Sequence, residues 1–282
     1  MFLIVSNKKP VPFGAGFLLG ITQRDAMAQE RSQKTVGEIK LLLKEATFED
    51  LPGLIAPLEQ DSREQIKKLV ASTQKRYIKE AQERVRVEKM YDLMHTYGGN
   101  GVILGVDEVG RGPLAGPLVV CAVALPDSPL IWGINDSKQL TPQRREELAQ
   151  IICERALAVG IAQIEPAQID EDGMAHCLHT AMRMAVEDAH IAYDAVLIDG
   201  VPMHLGLNEI AIPQGDAKIA AIAAASIVAK VNRDAQLVAA QSRYPGYGFA
   251  NNKGYGSAEH IAAIKQLGIT DYHRKTFCHA FI

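Results

Sequence analysis

Two kinds of apolar spacing divide the chain. Over residues 35–97 apolar positions return every three or four places: Val36, Ile39, Leu42 and Leu43, then Ile66, Leu69 and Val70. That is the period of helices with one buried stripe. Pro52-Gly53 and Pro57 interrupt the run. A longer helix is therefore expected to start near Asp61 or Ser62, both capping residue types. Gly98-Gly99-Asn100-Gly101 reads as a linker and places a boundary near residue 98. Beyond it the apolar runs shorten. Residues 102–106, 118–125, 157–164, 195–198 and 209–213 read as strands, and 141–158, 169–191, 217–240 and 258–268 as helices, the first opened by a Thr141-Pro142 cap. Consecutive strands followed by strand–helix alternation predict an α/β domain with a mixed sheet over residues 99–282, preceded by a helical extension over 35–98 and a disordered leader over 1–34.

The chain has 282 residues and a formal charge of −3, so its bulk charge does not advertise a nucleic-acid binder. A local stripe is what matters for phosphates. Arg63, Lys67, Lys68, Lys75, Arg76 and Lys79 form such a run, read either as a solvated helix face or as a surface tracking a duplex. The four cysteines make no C-x-x-C pair, which fits a reducing, cytoplasmic setting without disulfides or structural zinc. His176-Cys177-His179 lacks a second ligand pair at zinc spacing. No apolar run reaches the ~18–20 residues of a membrane span. The apolar stretch before Met27 imitates a signal peptide only loosely, being broken by Pro12, Gly14, Gly16 and Gly20.

Residues 105–117 carry the strongest chemistry. A buried-strand pattern ends in Asp107-Glu108, and Gly110-Arg111-Gly112 follows at once. Glycines admit a ligand close to the backbone, and an arginine between them can fork onto a phosphate. Asp199 and Asp216 likewise follow short apolar strands, each beside a glycine. Strand ends of an α/β sheet are where sites are built. Carboxylates gathered there repel one another unless cations intervene, and all-oxygen ligands suit Mg²⁺ or Mn²⁺. Two such ions ~3.5–4 Å apart can clamp a scissile phosphate. Two points stay open on chemistry alone. Asp234 competes with Asp216 for the fourth place, and adjacent strand residues such as Asp107 and Glu108 point to opposite faces.

Residues 105–117 resemble the opening motif of the bacterial ribonuclease HII family, the type 2 ribonucleases H. The likeness continues through Asn135-Asp136-Ser137-Lys138-Gln139-Leu140, Leu197-Ile198-Asp199-Gly200, Gly215-Asp216, residues 223–231, Lys253-Gly254-Tyr255 and His273-Arg274-Lys275-Thr276-Phe277. The resemblance implies an RNase H-like fold and hydrolysis of the RNA strand of RNA–DNA hybrids. It also implies incision of duplex DNA 5′ to a single embedded ribonucleotide, leaving 3′-hydroxyl and 5′-phosphate ends. On it, Asp107, Glu108, Asp199 and Asp216 bind Mn²⁺ or Mg²⁺, two ions during turnover. Gly110, Arg111 and Gly112 meet the ribose 2′-hydroxyl and its phosphate, and Tyr255 stacks on the following sugar. Ser137, Lys138, Ser226 and Lys230 hold the nucleic-acid backbone, and the protein acts as a monomer.

The sequence departs from the family at Gln214, where a lysine is common, and in the apolar Ile219-Ala220-Ala221-Ile222. Type 3 enzymes, ribonuclease HIII, carry another triplet after the first acids and an N-terminal sheet domain. Two other readings are a non-catalytic duplex binder and a different two-metal nuclease of RNase H-like fold. The four acids argue against the first, and Gly110-Arg111-Gly112 with Tyr255 against the second.

Overall fold

A computed structural model describes residues 34–282. The leader expected over 1–34, with its signal-like stretch, lies outside the described residues apart from Lys34. The chain forms two compact units, divided between Gln82 and Glu83 inside one long helix.

In the first unit, helix α1 (Val36–Glu45) opens on a reciprocal capping box. Thr35 Oγ1 accepts from the Glu38 amide, and the Thr35 amide donates to Glu38 at 2.7 Å. Helix α2 (Leu51–Ile55) and a 3₁₀ turn (Ala56–Leu58) follow, with the prolines at their first turns. Ile39, Leu43, Leu51, Ile55, Leu58, Ile66 and Val70 close into a small core, so the helical period marks the buried stripe. Helix α3 (Glu64–Gly98) begins here.

The second unit is built on a five-stranded sheet in the order β3-β2-β1-β4-β5. Its strands are β1 (Ile103–Val109), β2 (Leu118–Ala124), β3 (Ala158–Ile164), β4 (Ala195–Asp199) and β5 (Glu209–Ile212). The β1–β2 and β2–β3 pairs are antiparallel, while β1–β4 and β4–β5 are parallel. Strand β2 is buried along its whole length because both faces of the sheet are covered, which is why it reads as an unbroken apolar run. On one face Leu104, Val106, Val120, Val196 and Ile198 meet helix α6 (Met174–Asp188). On the other, Ile103, Val119, Cys121, Val123 and Leu197 meet α4 (Pro142–Arg155) and α7 (Ala220–Arg243), together with Val87, Met90, Tyr91 and Met94 from the end of α3.

Helix α7 approaches β1 unusually closely. A Cβ at Gly105 would lie 2.2 Å from the Ala221 carbonyl carbon, so this crossing tolerates only glycine facing a run of alanines. Several boundaries differ from the periodicity: β1 runs on to Val109 rather than ending at 106, and two helices are cut otherwise than expected. The helix expected over 169–191 divides at Gly173 into α5 (Pro166–Asp172) and α6, because the chain turns there while its apolar period continues. Helix α7 starts at Ala220, since Gly215–Ala217 first winds into a 3₁₀ turn behind a left-handed Gln214. The remaining helices are α8 (Phe249–Asn252), α9 (Ala258–Leu267) and α10 (Lys275–Cys278).

Candidate active site

The register assembles the acids. The last parallel rung joins Val106 of β1 to Ile198 of β4, so the next rung sets Asp107 beside Asp199 with side chains on one face. Asp199 in turn pairs with Ile212, after which the chain turns through Gln214 to Asp216. The Gly215 amide donates to Asp199 Oδ1 at 2.6 Å, which ties this turn to the end of β4. Strand β1 stays in unbroken register with β2 through Val109, so Asp107 and Glu108 do leave the sheet on opposite faces. Glu108 still acts on Asp107, and Asp199 on both, because all three lie past the last parallel rung between β1 and β4, at the open end of the strands. Burial, then the charge of Glu108, hold the Asp107 carboxyl well above the usual range. Burial also raises Glu108 against the opposing pull of Arg111. Asp216 is raised by burial and then by Asp199 and Asp136.

Each acid already has a donor. Asp107 accepts from the Glu108 amide at 2.7 Å, and Glu108 pairs with Arg111 at 3.1 Å. Lys138 Nζ lies 3.6 Å from Asp216 and 3.9 Å from Asp136. Burial opposes the Lys138 charge, but Asp136, Asp216, Asp107 and Asp199 together raise its pKa. Among the described residues no three carboxylate, histidine or cysteine groups converge closely enough to hold a metal ion as they stand. Asp234 forms an ion pair with Lys230 at 2.7 Å.

Ser137 and Ser226 are buried, with their hydroxyls 3.0 Å apart, and Ser226 draws the Asp107 pKa down against its burial. Neither hydroxyl lies at the surface. Tyr255 stands 46% exposed. Cys177 is buried in the core, and its thiol donates to the Gln168 carbonyl.

Two residues that apolar periodicity hides organise the glycine-rich loop. Arg274 is fully buried. Its Nη2 donates to Gly110 O at 2.6 Å and Gly116 O at 2.8 Å, and its Nη1 to Pro113 O at 3.0 Å and Arg111 O at 3.1 Å. Arg233, equally buried, donates to the carbonyls of Ala115, Pro117 and Lys253 at 2.9 Å each. In a trans peptide C=O and N–H point opposite ways. Aiming the Gly110 and Arg111 carbonyls inward therefore turns the Arg111 and Gly112 amides outward. Gly110 sits at φ +98°, and a Cβ there would lie 2.5 Å from Arg233 Nε. Burial lowers Arg233, and burial together with the charge of Arg233 lowers Arg274 to about 10, so Arg274 stays charged near neutrality. Nothing in the local sequence Asn232-Arg233-Asp234 marks Arg233 as a buried residue.

The ribonuclease HII family model matches residues 104–280, and the model of the ribonuclease HII N-terminal domain matches 35–97. Ribonuclease HII of Lachnoclostridium phytofermentans is 45% identical over 77% of this chain and 86% of its own. That of Bacillus subtilis is 41% identical over 86% of this chain and 96% of its own. Among solved structures, ribonuclease H2 of Pyrococcus horikoshii superposes with a TM-score of 0.55 at 29% identity, over 62% of this chain and 93% of that one. The RNase HII of an Archaeoglobus fulgidus PCNA:RNase HII complex gives 0.54 at 26% identity. Fold and site thus define a hydrolase of the RNase H-like class. The chain belongs to the ribonuclease HII family and is a type 2 ribonuclease H, a metal-dependent endonuclease of RNA–DNA hybrids.

Proposed function

We propose that this enzyme incises duplex DNA on the 5′ side of a single embedded ribonucleotide, as well as cutting hybrids, and leaves 3′-hydroxyl and 5′-phosphate ends. Asp107, Glu108, Asp199 and Asp216 are the residues that would hold divalent cations. The observation that carries this reading is the pairing of two strand-end carboxyls, raised by burial and by the charge of neighbouring acids, with an adjacent loop whose amides face outward. The donor set fits a hard cation: it is all oxygen, and it holds more negative charge than its environment accommodates. When bound, two Mg²⁺ or Mn²⁺ ions supply an acidified water and stabilise the leaving oxygen.

The rest is the work of the chain. Arg111 and Lys138 are exposed cations lying on the acids. Both are free to exchange those carboxylates for substrate phosphates, Arg111 as a fork and Lys138 as a point charge. The outward Arg111 and Gly112 amides then meet the 2′-hydroxyl, the group that distinguishes RNA from DNA at one position. Tyr255 offers its exposed ring to the next sugar. Ser226, bonded to Ser137, fixes the rotamer of Asp107. Water attacks phosphorus, the P–O3′ bond of the preceding deoxynucleotide breaks, and that O3′ takes a proton. The protein acts as a monomer.

The test incubates the full chain, with Mg²⁺ or Mn²⁺, with a duplex holding one ribonucleotide and with an all-DNA control. A single cut 5′ to the ribonucleotide is expected. No cut with either metal overturns the reading.

A further inference from the structure

Resting on that proposed function, the geometry points to Arg233 as a positioning residue: the joint that locks the loop bearing Gly110-Arg111-Gly112 to the turn bearing Tyr255, so that ribose and junction are read as one unit. The two segments lie far apart in sequence, Gly110–Gly112 against Lys253–Tyr255, and each by itself is irregular backbone. Arg233 reaches both from below, with Nε and Nη2 on the Pro117 and Ala115 carbonyls and Nη1 on the Lys253 carbonyl. A guanidinium suits this task because its donors are coplanar and rigidly spaced, so three acceptors held by it are also held relative to one another. Both segments also touch directly. The Leu114 and Ala115 amides donate to Gly254 O at 2.8 and 3.2 Å. A Cβ at Gly254 would come within 2.3 Å of Ala115 O.

Burial makes the joint stiff. Arg233 has no exposed surface and satisfies its donors with main-chain carbonyls rather than a mobile carboxylate. Arg274 grips the same loop from the other end but makes no hydrogen bond to the turn 253–255. Coupling between loop and turn therefore runs through Arg233 and the Gly254 contact. The chain end of the turn is fixed separately, by His260 Nδ1 at 2.8 Å from the Tyr255 carbonyl.

A residue needed only for stability would depress activity on every substrate alike. The joint predicts a selective loss. kcat/KM is measured for the wild type, Arg233→Lys, Tyr255→Ala and the double variant, on a duplex with one ribonucleotide and on an all-RNA:DNA hybrid. Lysine keeps the charge but cannot hold three carbonyls. Arg233→Lys should lower incision at the single ribonucleotide about tenfold, the usual scale for charged hydrogen bonds, and change hybrid cleavage less than about threefold. Adding Tyr255→Ala to it should cost little more, because the tyrosine is then no longer held in place. Equal losses on both substrates, or a double variant equal to the product of the singles, overturns the joint. If Arg233→Lys does not fold, Gly254→Ala wedges the same contact from the turn's side, against the Ala115 carbonyl, and must show the same selectivity. A wild type that cuts neither substrate overturns the proposed function instead, so the two failures are distinguishable.

Discussion

The acid corner and the glycine-rich loop adjoin one another and are held by opposite means. At the corner the partners are replaceable: Lys138 and Arg111 carry exposed side chains, and the acids lean on neighbouring amides. At the loop they are not, since two fully buried guanidiniums take the carbonyls of Gly110, Arg111, Pro113, Ala115, Gly116 and Pro117. The difference separates what must rearrange for a cation from what must already be shaped for a ribose. Ionised carboxylates can exchange a lysine for a metal at little structural cost, whereas a probe for one hydroxyl loses discrimination if its backbone relaxes.

The sharpest break of the corner alone is Asp199→Asn. Turnover should fall on the order of a thousandfold, the scale of removing one main electrostatic group, while fluorescence anisotropy still reports substrate binding. Full activity would remove Asp199 from the site. The matching break of the loop is Gly110→Ala, which places a Cβ against Arg233 and Pro117 at positive φ. A loss of about 2–3 kcal/mol in chemical denaturation is expected, and an unchanged midpoint would mean that the loop yields.

A smaller effect has the opposite sign. The folded Asp107 carboxyl is raised, chiefly by burial and then by Glu108. The folded state therefore binds the extra proton, and the stability linked to it is present at low pH. It is lost as pH climbs from the unfolded carboxylate range near ~4 through the folded value. In chelator at neutral pH, Asp107→Asn should thus be more stable than the wild type by about 1 kcal/mol, or a few degrees in Tm, with the gap closing near pH 4. Added Mn²⁺ should raise the Tm of the wild type more than that of the variant. A variant no more stable at neutral pH would show that the buried charge is relieved elsewhere.

The smallest effect concerns the basic run of the first unit. Arg63 already pairs with Asp61, Lys67 with Glu64, and Arg76 donates to the Leu43 carbonyl. Replacing Lys68, Lys75 and Lys79 with glutamine should flatten the salt dependence of duplex affinity by at most about one unit per phosphate contact. No change would make the run a solvated face. Deleting residues up to 97 is the wrong test, because it would also remove Val87, Met90, Tyr91 and Met94 from the core of the second unit.

Much of this was legible beforehand because it follows local rules. The strands carrying Asp107 and Asp199 are short apolar runs with an acid near their ends, and the Thr141-Pro142 start behaves as a cap should. What escaped depends on non-local contacts. Arginine defaults to the surface, so burial of Arg233 and Arg274 could not be read without knowing that a loop of inward carbonyls lies beside them. Ser137 and Ser226 lie 89 residues apart and become partners only through packing. The break at Gly173 was masked because apolar spacing continues across it.

One helix carries a further consequence. Ser226, under the acid, and Arg233, under the loop, lie on α7 seven residues apart, two turns or about 10 Å along the axis. Because α7 presses on β1 at Gly105 without room for a side chain, it cannot slide to adjust. It serves as a ruler: the offset between cleavage and recognition is written into a count of helical residues. Inserting a single residue between positions 226 and 233 would rotate one end by about 100° against the other, leaving both halves intact but out of phase.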